Sequence, residues 1–155
     1  MGDDIKIVRG RREDLRVLVD LYLEAYRDME YYHYRKRRDV NRYFKWMFSR
    51  DSNGLFIALD GDKVVGFVFC DKNWYSFHEE EVVGEIHELV VHPEYRNRGV
   101  GKKLVEKAIK YLGREKIELW VGGENVRAIE FYKRLGFVPR EKFDVWLRMV
   151  KVIKR

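Results

Sequence analysis

The sequence predicts a mixed α/β domain organised around one sheet, on three observations. Two apolar segments of strand length, Leu55–Leu59 and Lys63–Cys70, flank Asp60-Gly61-Asp62, a turn whose glycine tolerates either sign of φ. Downstream, strand and helix alternate: Val82–Val91, Val100–Leu112, Ile117–Val121 and a helix opening at Asn125. Near the N-terminus, Leu15, Leu18, Val19, Tyr22, Ala25, Tyr26 and Met29 recur at helical spacing.

The remaining elements follow in order. Ile5–Arg9 reads as the first strand, and the stripe from Leu15 to Met29 marks a long first helix. Residues 31–38 form an aromatic, basic connector, and Asn41–Phe48 a second, short helix with Tyr43, Phe44, Met47 and Phe48 near one side. Lys72–Phe77 reads as a loop. The helix Val100–Leu112 buries Val100, Leu104, Ala108 and Leu112, while Phe137–Arg140 and Val145–Ile153 close the chain as strands. No repeat, low-complexity run or linker interrupts residues 1–155, which read as one domain.

At 155 residues, with nearly half of them apolar, the chain can bury a real core. The formal charge is +6 and 37% of residues are charged, with neither Gln nor Thr present, a bias compatible with the surface ion-pair networks of a hyperthermophile. The basic balance suits an anionic ligand, and equally a solvated surface. The single cysteine, Cys70, lies in an apolar run and reads as a buried structural thiol, with no internal disulfide. No run approaches membrane-helix length, and Met1-Gly2-Asp3-Asp4 does not open a signal peptide. Lys6 stands where a myristoylation signal needs Ser or Thr. A cytoplasmic protein with no membrane partner is expected, and a homodimer stays open.

The most informative segment runs from Glu85 to Lys102: a strand of apolar and ionisable residues, a turn marked by Pro93, then Gly99 and Gly101 opening a helix. A helix start offers unpaired N–H groups and the positive end of a dipole, so it can cradle phosphates, and glycines let the backbone come close. Arg96 and Arg98 stand beside it. A dinucleotide fingerprint would need glycine where Leu104 stands. A P-loop fails because Arg96 replaces its first glycine and Lys103 its Ser/Thr. What remains is Arg-x-x-Gly-x-Gly, formed by Arg96, Gly99 and Gly101. About thirty residues on, Asn125-Val126-Arg127-Ala128-Ile129-Glu130-Phe131-Tyr132 leads into Leu135-Gly136-Phe137. Asn125 is a natural N-cap and Gly136 a natural C′ residue, and Asn125 and Tyr132, two turns apart, share a helix face.

Together these two segments resemble the acyl-CoA signature and the following helix of the GNAT superfamily of acetyl-CoA-dependent N-acetyltransferases. The motifs cover residues 85–137, and the order of elements extends the likeness along the chain. The resemblance implies a twisted, mostly antiparallel sheet of about six to seven strands with about four helices, its fourth and fifth strands splayed to hold acyl-CoA. It implies acetyl transfer to a primary amine by direct attack, with acetyl-CoA as co-substrate and no metal. On that template Leu89, Val90 and Val91 hold the pantetheine arm, and a backbone N–H near Leu89 serves the oxyanion. Arg96, Asn97, Arg98, Gly99, Val100, Gly101 and Lys102 wrap the pyrophosphate, and Asn125 contacts CoA as well as capping its helix. Tyr132 matches the family's tyrosine that protonates the departing thiolate, a task suited to a phenol of pKa about 10.

The base is less defined. Strand alternation puts Glu85, His87, Leu89 and Val91 on one face and Ile86, Glu88 and Val90 on the other. Glu85 and His87 both fall where family members carry a general base. Histidine, at about 6.5, is better matched to neutral pH than a carboxyl at about 4.3, a gap that burial of Glu85 would close. Our order is Glu85, then His87, then Glu88, with a water chain as the alternative. His92 reads as a turn residue rather than a metal ligand, and His33 and His78 as lone histidines in polar loops.

The acceptor groove implied by the fold holds Tyr22, Tyr26, Tyr31, Tyr32, Tyr34, Tyr43 and Trp46, with Trp74, Tyr75 and Phe77 in a loop; about half of these should be plain core. Glu79-Glu80-Glu81 could attract an amine or simply be a solvated edge. The acceptor is a small amine or a protein amine. The competing reading is a non-catalytic acyl-CoA-binding sensor or regulatory subunit. A nucleic-acid role rests only on Arg35-Lys36-Arg37-Arg38 beside the connector tyrosines, without any module signature, and is set aside as the main function.

Overall fold

The computed structural model describes residues 4–29 and 32–153. Strands β1 (Ile5–Arg9), β2 (Leu55–Asp60), β3 (Lys63–Ser76), β4 (Glu81–Val91), β5 (Lys116–Gly122), β6 (Val138–Phe143) and β7 (Trp146–Val152) form one sheet in the order β1-β2-β3-β4-β5-β7-β6. Every neighbouring pair is antiparallel except β4 and β5. That parallel pair requires a crossover, supplied by the helix between them.

Helices α1 (Leu15–Ala25) and α2 (Arg37–Arg50) cover one face of the sheet. There Leu18, Tyr22, Phe44 and Met47 bury against Leu55, Ile57, Phe67, Phe69 and Val90. Helices α3 (Val100–Leu112) and α4 (Val126–Arg134) cover the other, where Leu104, Ala108 and Tyr132 meet Phe56, Val68, Ile86 and Leu119. The period-two alternation of β2 makes this possible, since consecutive residues feed opposite cores.

The differences from the sequence reading have local causes. The first helix stops at Ala25, four residues short of Met29, because Tyr26 already leaves helical geometry at φ −106° and ψ 15°. The second helix is longer than its apolar stripe, since polar Arg37–Asp39 and Ser49–Arg50 extend it through solvent. Lys72–Ser76, expected as loop, continues β3, with a register shift between Asp71 and Trp74 that inserts one extra residue opposite β4. Tyr31 lies outside the described residues. Among the described residues no helix is long and apolar enough to cross a membrane.

Two irregularities in β4 set up the site. Glu88 pairs with Phe69 but Ile86 pairs with Cys70, so His87 is an extra residue, a β-bulge. And β4 stays paired with β5 only from Gly84 to Ile86, opposite Ile117 to Leu119. Beyond Ile86 the two strands diverge.

Candidate active site

The bulge resets the alternation of β4. Glu85 and His87 share a face as expected, the one toward α1 and α2, but Glu88 joins them: its carboxylate accepts hydrogen bonds from Tyr26 Oη and Tyr43 Oη, both at 2.8 Å. Leu89 and Val91, expected on the Glu85 face, pack instead toward α3, while Val90 enters the α1/α2 core. Simple period-two counting fails because two consecutive residues of a bulged strand project to one side.

Divergence from β5 leaves backbone groups of β4 without a strand partner. The His92 N–H donates to Val65 O, and residues 66 to 68 pair with 91 to 89 in continuous register. Hydrogen-bonded and non-hydrogen-bonded pairs alternate along an antiparallel ladder, so Leu89 and Val91 turn their N–H and C=O groups away from β3, into the gap. Tyr26 Oη reaches Leu89 O there, at 3.3 Å.

A cleft of about 590 Å³ runs from this gap to the start of α3. Leu89, Val90, Val91, Arg96, Asn97, Gly99, Gly101, Lys102 and Asn125 line it. Gly99 takes φ +83°, and a Cβ added there would meet nothing within 4 Å, so the backbone at the helix start is open to a ligand. Gly101 has a different reason: a Cβ would stand 3.0 Å from Phe131 Cζ, so its absence lets α4 lie close. Two sequence-expected residues do not turn their side chains into the cleft. Val100 is core, and Arg98 lies over the Tyr95 ring at 4.6 Å. Arg127 and Arg134, one face of α4, line the cleft and were not singled out from sequence, although their seven-residue spacing beside the Asn125 motif was a usable signal.

Helix α4 is fixed at both ends. Asn125 Oδ1 accepts from the Ala128 N–H at 3.2 Å. Phe137 N–H bonds Tyr132 O and Gly136 N–H bonds Lys133 O, a Schellman closure sealed by the Tyr132 and Phe137 rings at 5.6 Å. Tyr132 is thereby held rigidly, 8% exposed, and its hydroxyl makes no hydrogen bond among the described residues. Burial and then the charge of Glu88 push its pKa above the phenol value, keeping it protonated.

A second cleft, about 670 Å³, opens on the other side of the splay. It shares Tyr26, Leu89, Asn125, Ala128 and Tyr132 with the first, so the two clefts adjoin at these residues. Glu85, His87 and Glu88 all line it. Burial drives Glu88 up to about 7, against the two tyrosine hydrogen bonds, which favour its charged form. His87 Nε2 lies 3.4 Å from Asp71 Oδ2, with its ring between Trp46 and Trp74. Against its burial, hydrogen bonds from His87, the Asn73 N–H and Arg50 lower Asp71 to about 2. His33, expected as a bland loop residue, belongs to the cleft wall, stacked on Tyr26, and burial lowers it to about 4.

Glu85 is 3% exposed and sits beside Glu118 in the parallel register of β4 and β5. Burial, then the neighbouring Glu118 carboxyl, then Asp71 raise its pKa well above the usual range, toward the neutral form. Glu118 accepts from Ser76 Oγ at 2.6 Å and Arg148 Nη1 at 2.9 Å. A carboxylate alone within the apolar strand Ile117–Val121 was the signal for this network. Among the described residues no group of three or more His, Cys, Asp or Glu is placed to hold a metal ion.

The model of the acetyltransferase (GNAT) family matches residues 16–137. The chain belongs to the GNAT acetyltransferase family. An uncharacterized N-acetyltransferase of Methanocaldococcus jannaschii is 50% identical over 145 residues, which cover 92% of this chain and 64% of that protein. One from Archaeoglobus fulgidus is 49% identical over 131 residues, 83% of this chain and 89% of that one. The mycothiol acetyltransferase of Streptomyces griseus matches more narrowly, 33% over 94 residues, 59% of this chain and 29% of the relative. This GNAT chain therefore spans less than two thirds of the first relative. The same fold occurs in a Pyrococcus horikoshii protein, with TM-score 0.88 and 38% identity over 97% of this chain and 99% of that one. It occurs again in the PaiA N-acetyltransferase of Thermoplasma acidophilum in complex with coenzyme A, with TM-score 0.78 and 20% identity over 96% and 99% of the two chains.

Proposed function

We propose that this GNAT chain transfers the acetyl group of acetyl-CoA to a primary amine by direct attack. The observation that carries the reading is the meeting of the two clefts at Leu89, Asn125 and Tyr132: a phosphate-suited passage on one side, an ionisable aromatic one on the other. The α3 start, Gly99 and the cations Arg96, Lys102 and Arg127 fit a pyrophosphate. The outward backbone groups of Leu89 and Val91 fit an amide-bearing arm, and the Leu89 N–H is the donor for charge growing on the thioester oxygen.

In this mechanism Glu88 takes the proton of the acceptor ammonium, directly or through water, and the freed nitrogen attacks the thioester carbon. A C–N bond forms, the C–S bond breaks and Tyr132 gives its proton to the sulfur, while the second proton that the nitrogen sheds on becoming an amide passes to the Tyr132 phenolate, directly or through water. Glu88 is preferred over Glu85 because its balance point lies near neutrality, whereas Glu85 is held toward its neutral form. His87, hydrogen-bonded to Asp71 beside the same cleft, stays the second candidate. The reading is tested by amine-dependent CoA thiol release across a panel of amines and peptides; tight acetyl-CoA binding with no amine-dependent release would favour the sensor.

The base assignment predicts a pH dependence. Activity should rise as pH climbs through about 7, where Glu88 loses its proton, and Glu88→Gln should abolish that limb. Stability should move oppositely. Since the fold raises this group, the unfolded chain releases the proton first, and stability falls as pH rises from 4.5 to about 7. Melting temperatures of Glu88→Gln should decline less than wild type across that window.

A further inference from the structure

The acceptor cleft has a composition unlike the rest of the chain. All four tryptophans (Trp46, Trp74, Trp120 and Trp146) line it, with six of the ten tyrosines. No Lys or Arg is among its described lining residues, in a protein with 32 such residues and a net charge of +6. Arg50, whose guanidinium lies 5.2 Å from the ring of the lining residue Trp74, is engaged by Asp71 at 2.8 Å and Asn73 O at 3.2 Å. Two buried polar atoms have no partner among the described residues, Glu85 Oε1 and His33 Nε2, and both belong to residues of this cleft.

Resting on the transferase reading above, we propose that the acceptor is a primary ammonium on an apolar, preferably aromatic, body with no carboxylate beside the amine. The physical reasons are three. The Glu88 carboxylate in the cleft lining attracts an ammonium, whose three donors suit acceptors such as Glu88 and Glu85 Oε1. Tryptophan and tyrosine faces hold both a cation and an apolar body. A free amino acid would bring its own carboxylate against the Glu88 carboxylate, with no guanidinium or ammonium among the described lining residues to meet it, and a like-charge juxtaposition in a buried site is strongly disfavoured. A free amine and the N-terminus of a polypeptide share the favoured chemistry.

The test compares phenethylamine, phenylalanine, phenylalanine amide and an amidated peptide beginning with phenylalanine, all at saturating acetyl-CoA. Phenethylamine, the amide or the peptide should exceed phenylalanine in kcat/KM by about 100-fold. Turnover of the peptide alone would assign the cleft to polypeptide N-termini, and turnover of phenethylamine alone to small amines; both uphold the proposal. Phenylalanine within a few-fold of its amide, or a polyamine preferred over all four, would overturn it. Trp46→Ala, at a wall position already 43% exposed, should raise KM for phenethylamine about five-fold with a much smaller change in kcat, and an unchanged KM would count against the aromatic wall. If no amine is acetylated, calorimetry with phenethylamine and phenylalanine still reads the cleft: selective binding of the former keeps this inference while the transferase reading falls, and equal binding sinks both.

Discussion

Tyr132→Phe should lower kcat by about 10²–10⁴-fold, the usual contribution of a positioned general acid, with little change in the affinity for acetyl-CoA. The substitution is clean. The ring stays packed between Phe131 and Phe137, at 5.1 and 5.6 Å, so α4 keeps its anchor. The lost hydroxyl makes no hydrogen bond among the described residues, so no partner is stranded and the melting temperature should hold. Steady-state kinetics and a thermal melt on the same preparation check both statements. An unchanged kcat would mean that water, not Tyr132, protonates the thiolate.

Arg148→Met should be the most destabilising single change outside the apolar core. The guanidinium is 2% exposed and meets Glu118 at 2.9 Å, Glu79 at 2.8 Å and Glu141 at 2.7 Å. Removing it leaves the Glu118 carboxylate buried beside Glu85, and stranding one member of a buried pair costs about 3–5 kcal/mol. Urea unfolding should show this loss. Adding Glu118→Gln should recover much of it, because the uncompensated charge is then gone. If the double variant is no more stable than Arg148→Met, the destabilisation comes from lost packing and the electrostatic account of this network is wrong.

Much of the fold was legible because its signals are local. Period-two runs, the helical stripes of α1 and α3, and the Gly99–Gly101 and Asn125 motifs each report on neighbours in sequence. The cleft at the start of α3 was legible for the same reason, since most of its lining comes from neighbours in sequence. The second cleft was not. A single extra residue at His87 reverses which β4 side chains share a face, and nothing in Glu85-Ile86-His87-Glu88 marks where the bulge falls. The charge states of Glu88 and Glu85 depend first on burial, then for Glu88 on Tyr26 and Tyr43, 62 and 45 residues away, and for Glu85 on Glu118 across a parallel pair. Such tuning is tertiary, so position relative to the glycines and strand alternation placed Glu88 third. His33 looked bland because only folding lays it on Tyr26.

The most direct test is a single-turnover experiment. Enzyme in excess is loaded with acetyl-CoA labelled in the acetyl group and mixed with an amine, and the label is followed by mass spectrometry. Transfer of the label to the amine at a rate that depends on amine concentration, with no acetylated protein at any time, is the expected result. Label that stays on CoA whatever the amine, or that passes first onto the protein, would contradict direct transfer between the two clefts.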